Sequence, residues 1–384
     1  MATPWSGVAL VVAALLADPL GLFKPTVELD EREQRALNQG QAVVRTLSVP
    51  SRHIGVFVAM RVSADANRLA RWLDQIEAFK RSEAVSEIGR FSNPPRLSDL
   101  DALSLDPADV EALRECTPGH CGLLFTPEEI QRLVQPFGRS RQWQEDDLRR
   151  ALREVLLERA QAYLRSGRIG EPPPAFVQQQ WPGVARAIES QPAQLPAGAT
   201  TFLYWEKVRL GGKPTVTITH VTVLRETGTP ACALVAISRH VFSTRHISDG
   251  WSVLTLVPPY FTYVYQARID RLGGFFGGIV RHFVERELKA RAGNTLVGLR
   301  DRLEGGDPPQ TDPAAAPGVI QKETRATTPT PRGLSEGAQV TVLSRRVTPG
   351  VKKECEPQPS SDAGAEQDTG RGGVHDLEAF DTWT

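Results

Sequence analysis

Tyr204, Trp205, His220, Phe242, Tyr263 and Tyr265 place aromatic bodies, most with a polar tip, on stretches otherwise rich in β-branched residues. Glu206, Arg239, Arg268 and Asp270 add charges to the same stretches. Such a set supports two kinds of chemistry. Aromatic walls with a few aimed polar groups can hold and orient an apolar ligand, and Tyr204, His220, Phe242, Tyr265 and Arg268 are the candidate contacts. A histidine oriented by a carboxylate can move a proton, with His220 as acid or base and Glu206 or Asp270 as its partner. The competing reading is structural: the aromatics fill a dry core and the charges pair or face solvent, as Arg268 with Asp270 on one strand face.

Other chemistry finds less support. His240 and His246 are six residues apart in a strand-and-turn region, and no HExxH occurs, so no metal site is expected. His246, Ser248 and Asp249 hold the ingredients of a hydrolase triad, but Ser248 is not in a GxSxG elbow. Gly273-Gly-Phe-Phe-Gly-Gly278 follows a strand pattern and precedes a helix pattern, yet it lacks the GxGxxG spacing and any βαβ continuation. It reads as a strand-to-helix corner, and no cofactor is expected. Lys plus Arg and Asp plus Glu are both 45, so there is no basic excess to meet nucleic-acid phosphates.

Cys116 and Cys121 bracket Thr-Pro-Gly-His, and Pro118-Gly119 fits the centre of a type II turn. This predicts a local disulfide in an oxidising compartment. Cys232 reads as a small core residue, and Cys355 has no assignment. The apolar run Val8–Leu16 followed by Ala17 has the length of a signal-peptide core and falls short of a membrane span. Residues 1–17 are therefore expected to be a signal peptide and the protein to be periplasmic or secreted, although residues 1–6 lack Lys and Arg. A buried N-terminal helix or a wrongly chosen start codon is the alternative. No transmembrane segment is expected.

The elements that must position these residues follow from periodicity. Residues 18–50 form an N-terminal segment, with a connecting helix over 28–50. His53–Val62 alternates with the period of a strand, and Ser63 can cap a helix with Leu69, Trp72, Leu73, Ile76 and Phe79 on its apolar face. Val85–Phe91 is a second strand. Residues 97–190 are mainly helical, opened by the caps Asp106-Pro107 and Thr126-Pro-Glu-Glu129, with a third helix near 145–165. Five strands follow in quick succession: 202–209, 215–225, 231–243, 251–257 and 261–269. In the second, Val216 and Ile218 share one parity and Val221 and Val223 the other, which predicts a bulge or bend near His220. A long helix runs from Gly278 to about Leu303, and the composition from residue 305 to 384 predicts a disordered tail.

Strand, amphipathic helix, antiparallel strands and a closing helix is the order of the helix-grip fold. In HIGVFVAMRV with its helix, and in 202–269 with the helix after Gly278, the chain resembles the START-like, polyketide-cyclase-like superfamily. The expected fold class is α+β: a curved antiparallel sheet packed on a long C-terminal helix, spanning 51–304, with the helical section 97–190 as an insertion. CTPGHC and YWEKVRLGGKPTVTITHV also look like an uncharacterised group of exported bacterial proteins. The superfamily resemblance implies a ligand space between sheet and closing helix, lined by Tyr204, His220, Phe242, Tyr265, Arg268, Phe276 and Phe283. It implies a non-enzymatic carrier of a lipid or other apolar molecule. The alternatives are a cyclase-type enzyme using the same space, and an interaction protein that meets an envelope protein through the insertion and tail.

Overall fold

The strand His53–Arg61 buries every residue from Ile54 to Met60, and a strand can do this only when both faces of its sheet are covered. The computed structural model describes residues 20, 23, 27–82, 84–117, 121–139, 145–166, 178, 199–210, 213–226, 233–269, 272, 286 and 296–309. Helix α1 (Glu31–Asn38) begins at Asp30 with a full capping box and is followed by β1 (Val43–Thr46) and β2 (His53–Arg61). Helices α2 (Ala66–Asp74) and α3 (Ile76–Lys80) lead to β3 (Val85–Arg90). A 3-10 turn (Leu97–Leu100) precedes the helices α4 (Pro107–Arg114), α5 (Pro127–Arg139) and α6 (Glu145–Ser166). Then come β4 (Thr200–Leu210), β5 (Lys213–Glu226), β6 (Ala233–Ser243), β7 (Ile247–Val257) and β8 (Tyr260–Ile269). Residues 296–305 form α7.

The strands make one open eight-stranded sheet in the order β1-β2-β8-β7-β6-β5-β4-β3. Every pairing is antiparallel. β4 to β8 form a meander, and the chain between β2 and β3 crosses the sheet while carrying α2 and α3. On the face beneath these helices Val58, Met60, Val221, Leu234 and Leu256 pack against Leu69, Leu73 and Ile76, with Leu296 and Leu303 of α7 in the same core. Side-chain hydrogen bonds tie α7 to this layer: Arg68 donates to the Leu303 carbonyl at 2.9 Å, and Arg302 donates to the carbonyls of Phe79 and Arg81. This is a helix-grip-like α+β architecture, and we call the covered side the grip face.

The outer face is divided. Over β4–β6 the inserted helices bury Leu133, Leu148, Leu152 and Leu156 against Leu203, Trp205, Ile218 and Phe242. Over the other half, Phe23, Val27 and Leu37 pack on Phe57, Val235, Val253 and Val264. The insertion caps form as their sequence requires: Asp106 accepts from Ala108 N, and Thr126 and Glu129 bond reciprocally.

Three expectations change in detail. The helix expected over 28–50 ends at Asn38; Gly40 takes φ 79, a conformation that favours glycine, and turns the chain into β1. The cap of α2 is Asp65, whose carboxylate accepts from Arg68 N, whereas Ser63 N donates to Glu304. The parity switch in β5 is not a change of face. Val216 and Ile218 point to the outer core and Val221 and Val223 to the grip core, as strict alternation in a strand buried on both sides allows. A register shift does occur beside Thr219, where the pairing passes from Ile218↔Phe242 to Thr219↔His240, and the extra residue is Val241 of β6.

Cys116 and Cys121 form the expected disulfide, with Cα atoms 4.4 Å apart. It closes a short loop, so its removal should lower stability by only about 2 kcal/mol on chain-entropy grounds. The double variant Cys116→Ser/Cys121→Ser should show this as a reduced denaturant midpoint, and its midpoint should no longer respond to reductant. Among the described residues no helix is long and apolar enough to cross a membrane. The segment 1–17, Cys232, the glycine corner 273–278, Phe276, Phe283, Cys355 and the tail from residue 310 lie outside the described residues.

Candidate functional site

Strand alternation decides which candidates can meet. Tyr204 and Glu206 of β4 share the grip face, and the in-register pairs Tyr204↔Thr219 and Glu206↔Thr217 put two threonines beside them. Tyr265 and Tyr263 of β8 lie on the same face, their rings stacked at 6.5 Å, and the ring of His240 meets that of Tyr265 edge-on at 6.0 Å. A Cβ on Gly250 would lie 2.6 Å from His240 Cδ2, so the absence of a side chain on β7 is what lets this ring lie over the sheet. From the helical layer Lys80, at the end of α3, reaches in. Its Nζ donates to Glu206 Oε1 at 2.9 Å and to the Tyr204 hydroxyl at 3.3 Å.

The electrostatics of this group follow from burial. Burial opposes the charge on Lys80, but the Glu206 carboxylate and the neighbouring Tyr204 outweigh it, and Lys80 is held protonated well above its ordinary range. Burial, then the Glu206 charge, pushes Tyr204 up to about 12. Burial likewise raises Tyr263, and carries Tyr265 far above the usual phenol range. His240 is pulled down to about 4 by burial and then by Lys80. At neutral pH the phenols are therefore donors and the imidazole is uncharged. Glu206 Oε2, Thr217 Oγ1 and His240 Nδ1 are buried and have no hydrogen-bond partner among the described residues. Most buried polar atoms are satisfied, so three such atoms on one face of a sheet require an account.

The other sequence candidates lie elsewhere. His220 stands in register with Leu203 and shares its outer face. There Tyr163 of α6 sits 2.8 Å from Nδ1 and Thr201 bonds Nε2, so both ring nitrogens are engaged. Glu206 has the opposite parity on β4, which puts the sheet between it and His220 and removes it as an orienting partner; Asp270 lies outside the described residues. Phe242 packs in the outer core against Phe125, with rings 5.5 Å apart, and under the Arg159 guanidinium. Arg268 is also on the outer face, opposite His53 and Asp249. Of the sequence candidates, the grip face brings together Tyr204 and Tyr265.

Sequence reasoning missed Lys80, because the last residue of an amphipathic helix ordinarily reads as solvated. It weighed His240 only for metal spacing. What the sequence does carry is parity: Tyr204 with Glu206 and Tyr263 with Tyr265 are i, i+2 pairs on β4 and β8, strands of one meander with β5, β6 and β7 between them.

A separate cleft of about 500 Å³ lies on the outer face, lined among others by Leu20, Leu29, Leu37, Phe57 and Tyr260. It sits where the N-terminal segment crosses β2 and β8, and none of the grip-face polar residues borders it. Among the described residues no group of three or more His, Cys, Asp or Glu side chains could hold a metal ion. No protein-family model, no curated protein and no solved structure matches this chain.

Proposed function

We propose that the protein binds a lipid or another mainly apolar small molecule against the grip face of its sheet, as a carrier or receptor in the cell envelope rather than as an enzyme. The observation that carries this reading is the buried polar group itself: Glu206 Oε2, Thr217 Oγ1 and His240 Nδ1 lack partners among the described residues. Around them are apolar walls from β2, β7 and α2. A mainly apolar surface with a few aimed polar atoms is the composition of a small-molecule site. The helix-grip-like order of elements supports the same reading through its resemblance to the START-like superfamily. The Cys116–Cys121 disulfide supports an exported location. A proton-transfer role for His220 has less support, with both its nitrogens engaged on the outer face.

The test is titration of the exported protein with N-phenyl-1-naphthylamine, a neutral dye that brightens in apolar surroundings. We expect saturable brightening in the wild type and at least about tenfold weaker binding in Tyr265→Trp, equivalent to about 1.4 kcal/mol. Tyr265→Trp should add bulk on the grip face while keeping a near-native denaturant midpoint. No saturable brightening in folded wild type, or undiminished binding in the variant, would overturn the site.

A further inference from the structure

Among the described residues, the central charges of the grip face are already matched to each other. Lys80 and Glu206 form an ion pair at 2.9 Å, with Glu206 nearly fully buried and Lys80 one third exposed. The nearby Tyr204, Tyr263 and Tyr265 are uncharged phenols, and His240 is uncharged. Among the described residues, the nearby cations of β3 and β5 are committed elsewhere. Arg225 pairs with Asp74 at 3.2 Å, and Arg90 donates to the Asp74 carbonyl while stacking over Phe202, on the far side of Tyr204 from Glu206.

From this arrangement we infer that the ligand's polar end is uncharged, a hydroxyl or carbonyl rather than a carboxylate, phosphate or ammonium. The inference rests on the binding site proposed above. A buried ligand ion must give up its hydration and find an unmatched opposite charge, or the loss is not repaid. A carboxylate brought to Lys80 would have to compete with Glu206 and sit beside its charge. An ammonium at Glu206 would meet Lys80 in the same way. A hydroxyl meets neither obstacle: it can donate to Glu206 Oε2 or to an imidazole nitrogen and accept from a tyrosine hydroxyl. Sites built of hydrogen-bonding groups discriminate in this manner because a mismatched ligand leaves buried polar atoms unpaired.

The experiment is displacement of bound N-phenyl-1-naphthylamine by dodecanol, dodecanoate and dodecylamine at pH 8. Dodecanol should displace the dye from wild type at a concentration at least about tenfold lower than either ion. Because the ions also partition less favourably, the decisive reading is the change in ratio between proteins. Glu206→Gln frees Lys80 and should shift the dodecanoate-to-dodecanol ratio toward the carboxylate by about tenfold or more. Lys80→Met frees Glu206 and should shift the ratio toward dodecylamine. Either ion matching dodecanol in wild type, or unchanged ratios in a folded variant, would overturn the uncharged-ligand inference while the site stands. Should the variants not fold, the wild-type comparison can still overturn the inference, because an ion that matches dodecanol does so against its less favourable partition. Absence of dye binding in wild type would overturn the site and this inference together.

Discussion

Replacing Arg245 by methionine should destabilise the fold by about 3–5 kcal/mol, the range for breaking a buried ion pair by removing one partner. Arg245 stands in the turn between β6 and β7, is 4 % exposed, and donates to Asp109 Oδ1 at 2.9 Å and to the Pro214 carbonyl at 3.1 Å. Asp109 lies in the first turn of α4, so the pair clamps the insertion to the sheet. Burial raises the Asp109 carboxyl above its ordinary value even with Arg245 opposing that shift. Without the guanidinium a buried carboxylate would be left with its charge uncompensated. The double variant Asp109→Leu/Arg245→Met should recover most of the loss, because it buries neither charge. Urea midpoints of the three proteins check this; a loss below about 1 kcal/mol in Arg245→Met would mean that the clamp contributes no more than a surface pair.

Acid should weaken the same interface through His220. Burial, then the charge of Arg239, lowers its pKa from 6.5 to about 4, and the ring is held between Tyr163 and Thr201. A histidine whose folded pKa is depressed stays neutral in the folded chain while the unfolded chain takes up a proton. Its contribution is therefore complete above pH 6.5 and is lost as pH falls toward about 4. That displacement corresponds to roughly 3 kcal/mol. His240, also lowered to about 4, acts in the same direction. His220→Gln should be less stable than wild type at pH 7.5, since Tyr163 and Thr201 lose a well-placed partner, and should lose less on going to pH 4. The difference in slope isolates His220 from the carboxylates that titrate over the same range; parallel pH profiles would contradict the assignment.

Much of the architecture was legible because periodicity and turn chemistry are local. The alternation of Ile54, Val56, Val58, Met60 and Val62 marks β2, and the caps at Asp106 and Thr126 open α4 and α5 where their chemistry demands. Four of the five meander strands extend their expected bounds by one to four residues, β6 is described from Ala233 where 231 was expected, and the order is unchanged. What was not legible was the face each strand residue occupies. In a sheet covered on both sides apolar residues appear at both parities, so the pattern of β5 looked like a bend at His220 when it records two cores. That ambiguity put His220, Phe242 and Arg268 in one expected site with Tyr204 and Tyr265, although the sheet separates them. Lys80 was hidden for a related reason: its meaning depends on which face of which sheet α3 covers, and that is a long-range fact.

Native mass spectrometry of the full chain, expressed in its own host and purified without detergent, tests the central claim most directly. The account predicts a bound non-protein mass that is lost on solvent extraction, carries no ionisable headgroup, and is depleted in Tyr265→Trp. Protein that shows only its own mass, and does not bind N-phenyl-1-naphthylamine after extraction, would contradict it.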